Sequence, residues 1–507
     1  MKQSTILLEQ FFRDHSIINS NIQSFNHFVD HEMQAIIEEN REIEPTIIPQ
    51  NVDEFKIRLD EIWVSRPGLN RPEEAGPSGP SITEADGSKR PIYPVEARLR
   101  KMTYASPIFM KVSSHINGVQ RESFTTQVGN LPVMIKSKNC HLHGLNRDEL
   151  IAKGEDPDEV GGYFIINGSE KVLISLEDLC QNRFMVEETS TGISQFVGKM
   201  FSERGSFKIP HVLEKAKDVV FYLSFTRVKR IPVIVIIKAL GMTTDEDLMK
   251  AVSEERQFDE VIVNLMEFAD IKSEDDAVDW IAKKIGITQS KDIRVERMRE
   301  ILDKYLLPHL GTEAEGRLIK AHNLCKMLRK YIMVSNREVP LDDKDHYQNK
   351  RLKLSGDLLG DLFRMNLKVL IHDMLYNFQR IVKRGKFPSV KVVIRDKLLT
   401  QRIYSAMATG SWVGGRKGIA QRIQRLNNLD TLSHLQRVVS PLSASQENFA
   451  ARELHATHLG RLCPIETPEG TNIGLRKNLA LLASITEGAD EEEVYNHLRA
   501  LGLRPYL

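Results

Sequence analysis

Cysteine is scarce: four residues in 507, Cys140, Cys180, Cys325 and Cys463, with no Cys-x-x-Cys pair among them. That excludes a disulfide-framed scaffold and a sulfur-rich zinc site, and makes reduced thiols the expectation. Long apolar runs are also missing. The longest, residues 231–237, falls far short of the roughly 20 residues that cross a bilayer. No charged-then-apolar leader opens the chain, so a cytoplasmic protein without membrane contact is expected. Net charge is only +1, which excludes the heavily acidic surface of a protein adapted to multimolar salt.

What is present is length and apolar content. With 41% hydrophobic residues, the chain has material for roughly three cores. Charge is unevenly spread. Residues 241–300 carry 16 Asp plus Glu against 9 Lys plus Arg, whereas residues 391–437 carry 9 Lys plus Arg against 2 Asp. The first region would repel a nucleic acid backbone and the second fits a phosphate-facing surface.

Apolar spacing over the first forty residues (Ile6, Leu7, Phe11, Phe12, Ile22, Phe25, Phe28, Met33) predicts amphipathic helices packed on the body that follows. Residues 64–94 are rich in Pro, Gly and Ser and read as an exposed loop. Asn167-Gly168 between two β-prone segments predicts a tight hairpin; the overlapping Asn-x-Ser match reads as turn chemistry rather than glycosylation. VVFYLSFTR and IPVIVII read as two strand-like runs, followed by a charge-rich helical region to about Met333. A second long helix follows over 358–378, stopped by Gly385.

Several segments carry possible chemistry. Gly410 to Lys417 (GSWVGGRK) approximates a phosphate-binding loop, but Arg and Lys stand where Lys and a magnesium-binding hydroxyl belong. A basic Gly-rich loop beside nucleic acid is the better reading. Cys140-His141-Leu-His143, and His455, His458 and Cys463, supply zinc-ligand types without a familiar four-ligand spacing. Glu466 and Glu469, with prolines at 464 and 468, read as loop carboxylates. Asp342, Asp343 and Asp345 lie in a polar run and read as a solvated turn, not a two-metal site. Composition alone makes 395–479 either a nucleic-acid surface or a solvated basic face.

Residues 455–479, HATHLGRLCPIETPEGTNIGLRKNL, resemble a signature of the second-largest subunit of multisubunit RNA polymerases. GSKRPIYPVEARLRKMTYASPI, VGNLPVMIKSKNCHL, GGYFIINGSEKVLI, HYQNKRLKLSGDLLGDLFR and TLSHLQRVVSPL resemble the same family in the same order. That subunit is about twice this length, and the chain stops soon after the signature. It therefore resembles the N-terminal half of the subunit in archaea that split it in two.

The resemblance implies an α+β multidomain fold. It comprises a protrusion (1–180 and 346–400), an inserted lobe (181–345), a fork (401–485) and the start of an external region (486–507). It implies a part of DNA-dependent RNA polymerase, a nucleotidyltransferase, with no catalytic residue or metal site of its own and no activity alone. The implied partners are the C-terminal half of the subunit (B prime), the largest-subunit pieces that would hold catalytic magnesium, the remaining subunits, the DNA template and the RNA–DNA hybrid. Residues 409–418 and 440–450 resemble two fork loops. The implied nucleic-acid contacts are Arg416, Lys417, Arg422, Arg425, Arg437, Arg461, Pro468, Glu469 and Asn472.

Overall fold

A computed structural model describes residues 3–14, 16–49, 52–66, 81–83, 89–189, 194–205, 207–486 and 491–504. Most of the Pro/Gly-rich segment, including 67–80, lies outside these. Of its remainder, Ser81–Thr83 pairs antiparallel with Lys89–Pro91. Two compact units emerge, Met1–Asp178 with Leu352–Leu507, and Leu179–Arg351.

The first unit is built on an antiparallel sheet whose long members are Phe55–Val64, Ala105–Ile116 and Val119–Pro132. Alternate burial along Phe55–Val64 gives one apolar face. Onto it packs the helix Ser355–Val382, with Phe378 stacked on Phe55 at 5.0 Å. Gly385, at φ 72°, follows the end of that helix. The helical residues from Asn19 to Glu38 join the same core, with Phe28 meeting Phe363 edge-on at 6.2 Å, whereas the first helix, Gln3–Asp14, leaves Ile6, Leu7 and Phe11 exposed, so the packing expected of those three is corrected. Helix Asp396–Thr409 lies against Val119–Pro132 at Gly129, where a Cβ would stand 3.2 Å from Leu399.

A smaller sheet holds Phe164–Ile166, Ser169–Leu173 and Ala420–Arg422. Asn167 and Gly168 both take positive φ (50° and 75°), which closes the expected hairpin with Ile166 opposite Ser169. Beyond it, Arg437–Val439 runs parallel to residues 175–176 and antiparallel to Arg476–Asn478.

The second unit opens with a five-stranded antiparallel meander, Met185–Glu188 to Val228–Pro232, and continues in helices. Here one expectation is corrected. Residues 233–239 form a helix, with Pro232 at its N-cap and every side chain buried. A short run apolar on all sides has no period to tell helix from strand, and burial on every face overrides the β-propensity of Val and Ile. Buried Lys238 donates to the carbonyls of Phe268 and Ile271, at 3.3 and 3.1 Å. Buried His211 accepts from the Leu307 amide at 3.1 Å, and burial pushes its imidazole down to about 4. Asp342, read as solvated, is anchored: it pairs with Lys330 at 2.8 Å and accepts from the Val186 amide at 2.9 Å.

Candidate nucleic-acid interface

Glu177 and Asp178 are adjacent on the strand Ser175–Leu179, so its pleat sends their side chains to opposite faces. Glu177 forms a buried ion pair with Lys477 at 3.1 Å. Asp178 accepts from Arg416 at 3.0 Å. One short strand thereby positions both the Gly-rich loop and the strand that closes the signature, Arg476–Asn478.

The Gly-rich loop begins where Asp396–Thr409 ends. Gly410 takes φ 74°, and a Cβ there would stand 2.7 Å from the Ala420 carbonyl oxygen. Across the loop, the Ile419 amide donates to the Gly410 carbonyl at 3.2 Å and the Trp412 amide to that of Arg416 at 2.8 Å. The buried Trp412 ring anchors it, its Nε1–H donating to the Leu358 carbonyl at 2.8 Å. The order is helix, loop, strand (Ala420–Arg422), whereas an NTPase loop needs a helix N-terminus after it to face phosphate. The geometry therefore opposes an NTPase and leaves Lys417 exposed in the loop.

Arg452 ties the second loop to the signature. Its guanidinium donates to the carbonyls of Thr471 (2.7 Å) and Ile473 (3.0 Å), and to those of Ala444 (2.8 Å) and Gln446 (3.3 Å). Gly474, at φ 73°, passes so close that a Cβ would lie 2.3 Å from the Arg452 carbonyl oxygen. Thr467 Oγ1 accepts from the Gly474 amide at 2.9 Å and donates to the Arg476 carbonyl at 3.1 Å. Glu466 takes hydrogen bonds from Ser433 and, at 2.9 Å, from Asn478, so it braces the fold. His455 accepts from the Thr457 amide at 3.1 Å, a turn-capping role. Among the described residues no group of three or more His, Cys, Asp or Glu is placed to hold a metal ion.

Two arginines flank this junction. Arg437 is opposite Asn478 and Arg476 opposite Val439 on paired strands. Burial, and then the charge of Arg476, hold the Arg437 guanidinium below its usual value. Among the described residues Lys417, Arg437 and Arg476 form no ion pair. A cavity of about 250 Å³ gathers the three segments, with Arg416, Lys417, residues 439–442, Ala444, Asn472 and Arg476 around a floor of Ile174 and Leu176. It offers an anion fixed cations, an amide and an apolar base.

The family model described as RNA polymerase beta subunit matches residues 16–401, and that for RNA polymerase Rpb2, domain 3, matches residues 421–485. The chain belongs to this RNA polymerase family. It is 42% identical to the DNA-directed RNA polymerase subunit Rpo2N of Methanocaldococcus jannaschii, covering 98% of both chains. Rpo2N of Halobacterium salinarum is 38% identical, with 98% of this chain and 95% of the relative covered. Against the Rpo2 subunit of Saccharolobus solfataricus the identity is 40% over 98% of this chain, but only 43% of that relative. The similarity is thus to the N-terminal half of a subunit that is one chain in some archaea and two in others.

Within this polymerase subunit, the anticipated residues fall into three groups. Arg416, Lys417 and Asn472 line one cavity, with Arg437 on the strand leading into it. Arg461, Pro468 and Glu469 sit exposed along the signature, Arg461 donating to the Thr457 carbonyl at 3.1 Å. Arg422 and Arg425 belong to the hairpin side. Arg425 donates to Glu170 at 2.5 and 3.0 Å and lies over the Tyr163 ring, in a network that Arg98 completes through Glu155, Glu170 and Tyr163. Burial pushes the Glu170 carboxyl up, yet Arg425 and Arg98 hold it below the usual range. Arg452, Arg476, Glu177 and Asp178 were not anticipated. The Arg476-Lys477 pair at the end of the signature was a visible signal for Arg476; the other three gave none.

Proposed function

We propose that this subunit forms one wall of the DNA cleft of DNA-dependent RNA polymerase, with residues 401–485 facing downstream DNA and the RNA–DNA hybrid. The assembled enzyme makes RNA from nucleoside triphosphates on a DNA template. On this reading residues 1–180 and 346–400 are the protrusion, 181–345 the lobe, 401–485 the fork, and 486–507 the start of the external region. The C-terminal half of the subunit and the largest-subunit pieces are its partners, and catalytic magnesium belongs to the latter. Among the described residues no helix is long and apolar enough to cross a membrane, and the cytoplasm is the proposed compartment.

The observation that carries this reading is the convergence of Lys417, Arg437, Arg476 and Asn472, from three separated segments, around one cavity and its supporting strands. Cations that form no ion pair among the described residues, together with a hydrogen-bonding amide, suit a polyanion backbone. The test is to isolate the tagged chain from its native cells and assay template-dependent RNA synthesis by the complex and by the chain alone. A stoichiometric multisubunit complex that makes RNA, with an inactive isolated chain, is the expected result. A chain that purifies alone, or with partners that make no RNA, would overturn it.

A further inference from the structure

The two ends of the helix Ser355–Val382 differ in chemistry. Near its start, the Leu358 carbonyl anchors the Gly-rich loop through Trp412. After its last residue the chain turns through Lys383, Arg384, Gly385 and Lys386, all exposed. Residues 380–391 carry five Lys plus Arg and no Asp or Glu. From Leu358 to Val382 the helix runs about 36 Å, at about 1.5 Å per residue. The basic turn is therefore remote from the Gly-rich loop and cannot share a phosphate with it.

Cations at a helix C-terminus have an ordinary explanation, because the aligned peptide dipoles leave about half a negative charge there. One cation answers that charge. Arg380, Lys383, Arg384 and Lys386 bring four, and among the described residues none of them forms an ion pair. Nor does the turn need them to close. The amides of Lys383, Arg384 and Gly385 donate to the carbonyls of Gln379, Ile381 and Val382 at 2.9, 3.0 and 2.8 Å. Carboxylates on adjoining elements are committed elsewhere: Asp373 to Arg395, and Glu122 to Ser389 at 2.9 Å and to Arg121 at 3.7 Å. Asp396 opens the first turn of the helix that follows.

The apolar part of the turn faces inward. Phe387 lies 5.4 Å from Phe55 and 6.2 Å from Phe378, and Arg121 covers its ring at 3.7 Å. Between Tyr376 and Val392 no large apolar side chain is exposed. A Cβ added at Gly385, where φ is 72°, would meet nothing within 4 Å, so that side of the turn is open. Protein interfaces draw their cores from aromatic and apolar side chains and are poor in lysine. Single-stranded nucleic acid is held by aromatic platforms as well as cations. The backbone of a duplex asks only for clustered cations that can reach it.

We propose that Arg380, Lys383, Arg384 and Lys386 form a second nucleic-acid surface, which holds the phosphate backbone of duplex DNA outside the melted region. The inference rests on the polymerase reading and goes beyond it. The length of helix between the two surfaces is about one turn of B-form DNA, so an enzyme that grips at both holds more duplex than the fork residues reach.

The experiment uses the polymerase reconstituted from all its subunits, assembled with RNA on two DNA scaffolds, one with long duplex arms on both sides of the bubble and one with both arms trimmed close to it. It compares wild type with K383Q/R384Q/K386Q, and with K217Q/R227Q/K229Q, which removes three exposed cations of the second unit and so matches the net charge. All six positions are exposed, so the isolated chains should melt close to wild type. On the long-armed scaffold, the slope of log affinity against log potassium chloride should be shallower by about two to three for K383Q/R384Q/K386Q and unchanged for the control. On the trimmed scaffold all three enzymes should coincide. A photo-crosslinking residue at position 384 of the otherwise wild-type enzyme should attach to DNA in one of the arms. If wild type makes no RNA on either scaffold, the polymerase reading falls. If wild type makes RNA but the slopes coincide on the long-armed scaffold, the control shifts equally, the difference persists on the trimmed one, or the probe attaches to protein, the second surface is wrong and the polymerase reading stands.

Discussion

Asp178 accepts a hydrogen bond from Arg416 at 3.0 Å, so the arginine of the Gly-rich loop already has an anionic partner before any nucleic acid arrives. Lys417, its neighbour, is exposed and forms no ion pair among the described residues. The two cations are therefore unequal: one shapes the loop and the other offers its charge.

Reversing both charges (R416E/K417E) should weaken the elongation complex more at low salt than at high salt, because fewer counterions are released on binding. Reversing Lys417 alone should lower the slope of log affinity against log salt by about one. The dissociation rate of a stalled complex over a potassium chloride series measures both. An unaltered slope would remove the phosphate role.

Arg452→Met keeps the aliphatic stem and removes every donor to Ala444, Gln446, Thr471 and Ile473. With the two loops uncoupled, RNA synthesis by the reconstituted enzyme should fall at least tenfold, while the chain loses only about 1–3 kcal/mol. Elongation rate and denaturant midpoint, read together, separate the two effects. Normal elongation would show that the loops do not act as a pair.

Trp412→Phe should cost about 1 kcal/mol, the hydrogen bond to the Leu358 carbonyl, while Trp412→Ala should cost about 3–5 kcal/mol through the cavity it leaves. Urea denaturation monitored on the helical signal gives both values. Equal losses would mean that the ring does not anchor the loop by packing.

His211 and His434 are both buried, and burial holds each imidazole at about 4 rather than 6.5. Both stay neutral in the fold but take up a proton in the unfolded chain, so stability falls as pH drops from about 6.5 to about 4. For His211 the loss amounts to roughly 3 kcal/mol at the lower end. His211→Gln, which keeps an acceptor for the Leu307 amide without titrating, should flatten this slope while His434 preserves the remainder. Denaturation midpoints between pH 4 and 7 decide it; a slope identical to wild type would exclude His211.

Much of the fold was legible where local chemistry and tertiary packing agree. Asn167-Gly168 fixed a hairpin because few residues other than Asn and Gly take positive φ cheaply, and the stripe from Leu358 to Phe378 fixed a helix by its period. Residues 233–239 misled because apolar contacts on every side erase periodicity. In the site, the charge count found the basic stretch but not the commitment of Arg425 to Glu170, a partner 255 residues away in sequence. Arg452 was invisible for a different reason. Its acceptors are main-chain oxygens, which leave no trace in residue type.

That last point bears on how the region tolerates sequence drift. Every acceptor of Arg452 belongs to the backbone, so residues 444, 446, 471 and 473 can change identity without removing the groups it grips. Position 474 has no such freedom, because any side chain there meets the Arg452 main chain. Mutational tolerance across the two loops should therefore be sharply two-valued: permissive at the four gripped positions and closed at the arginine and the glycine that seat them.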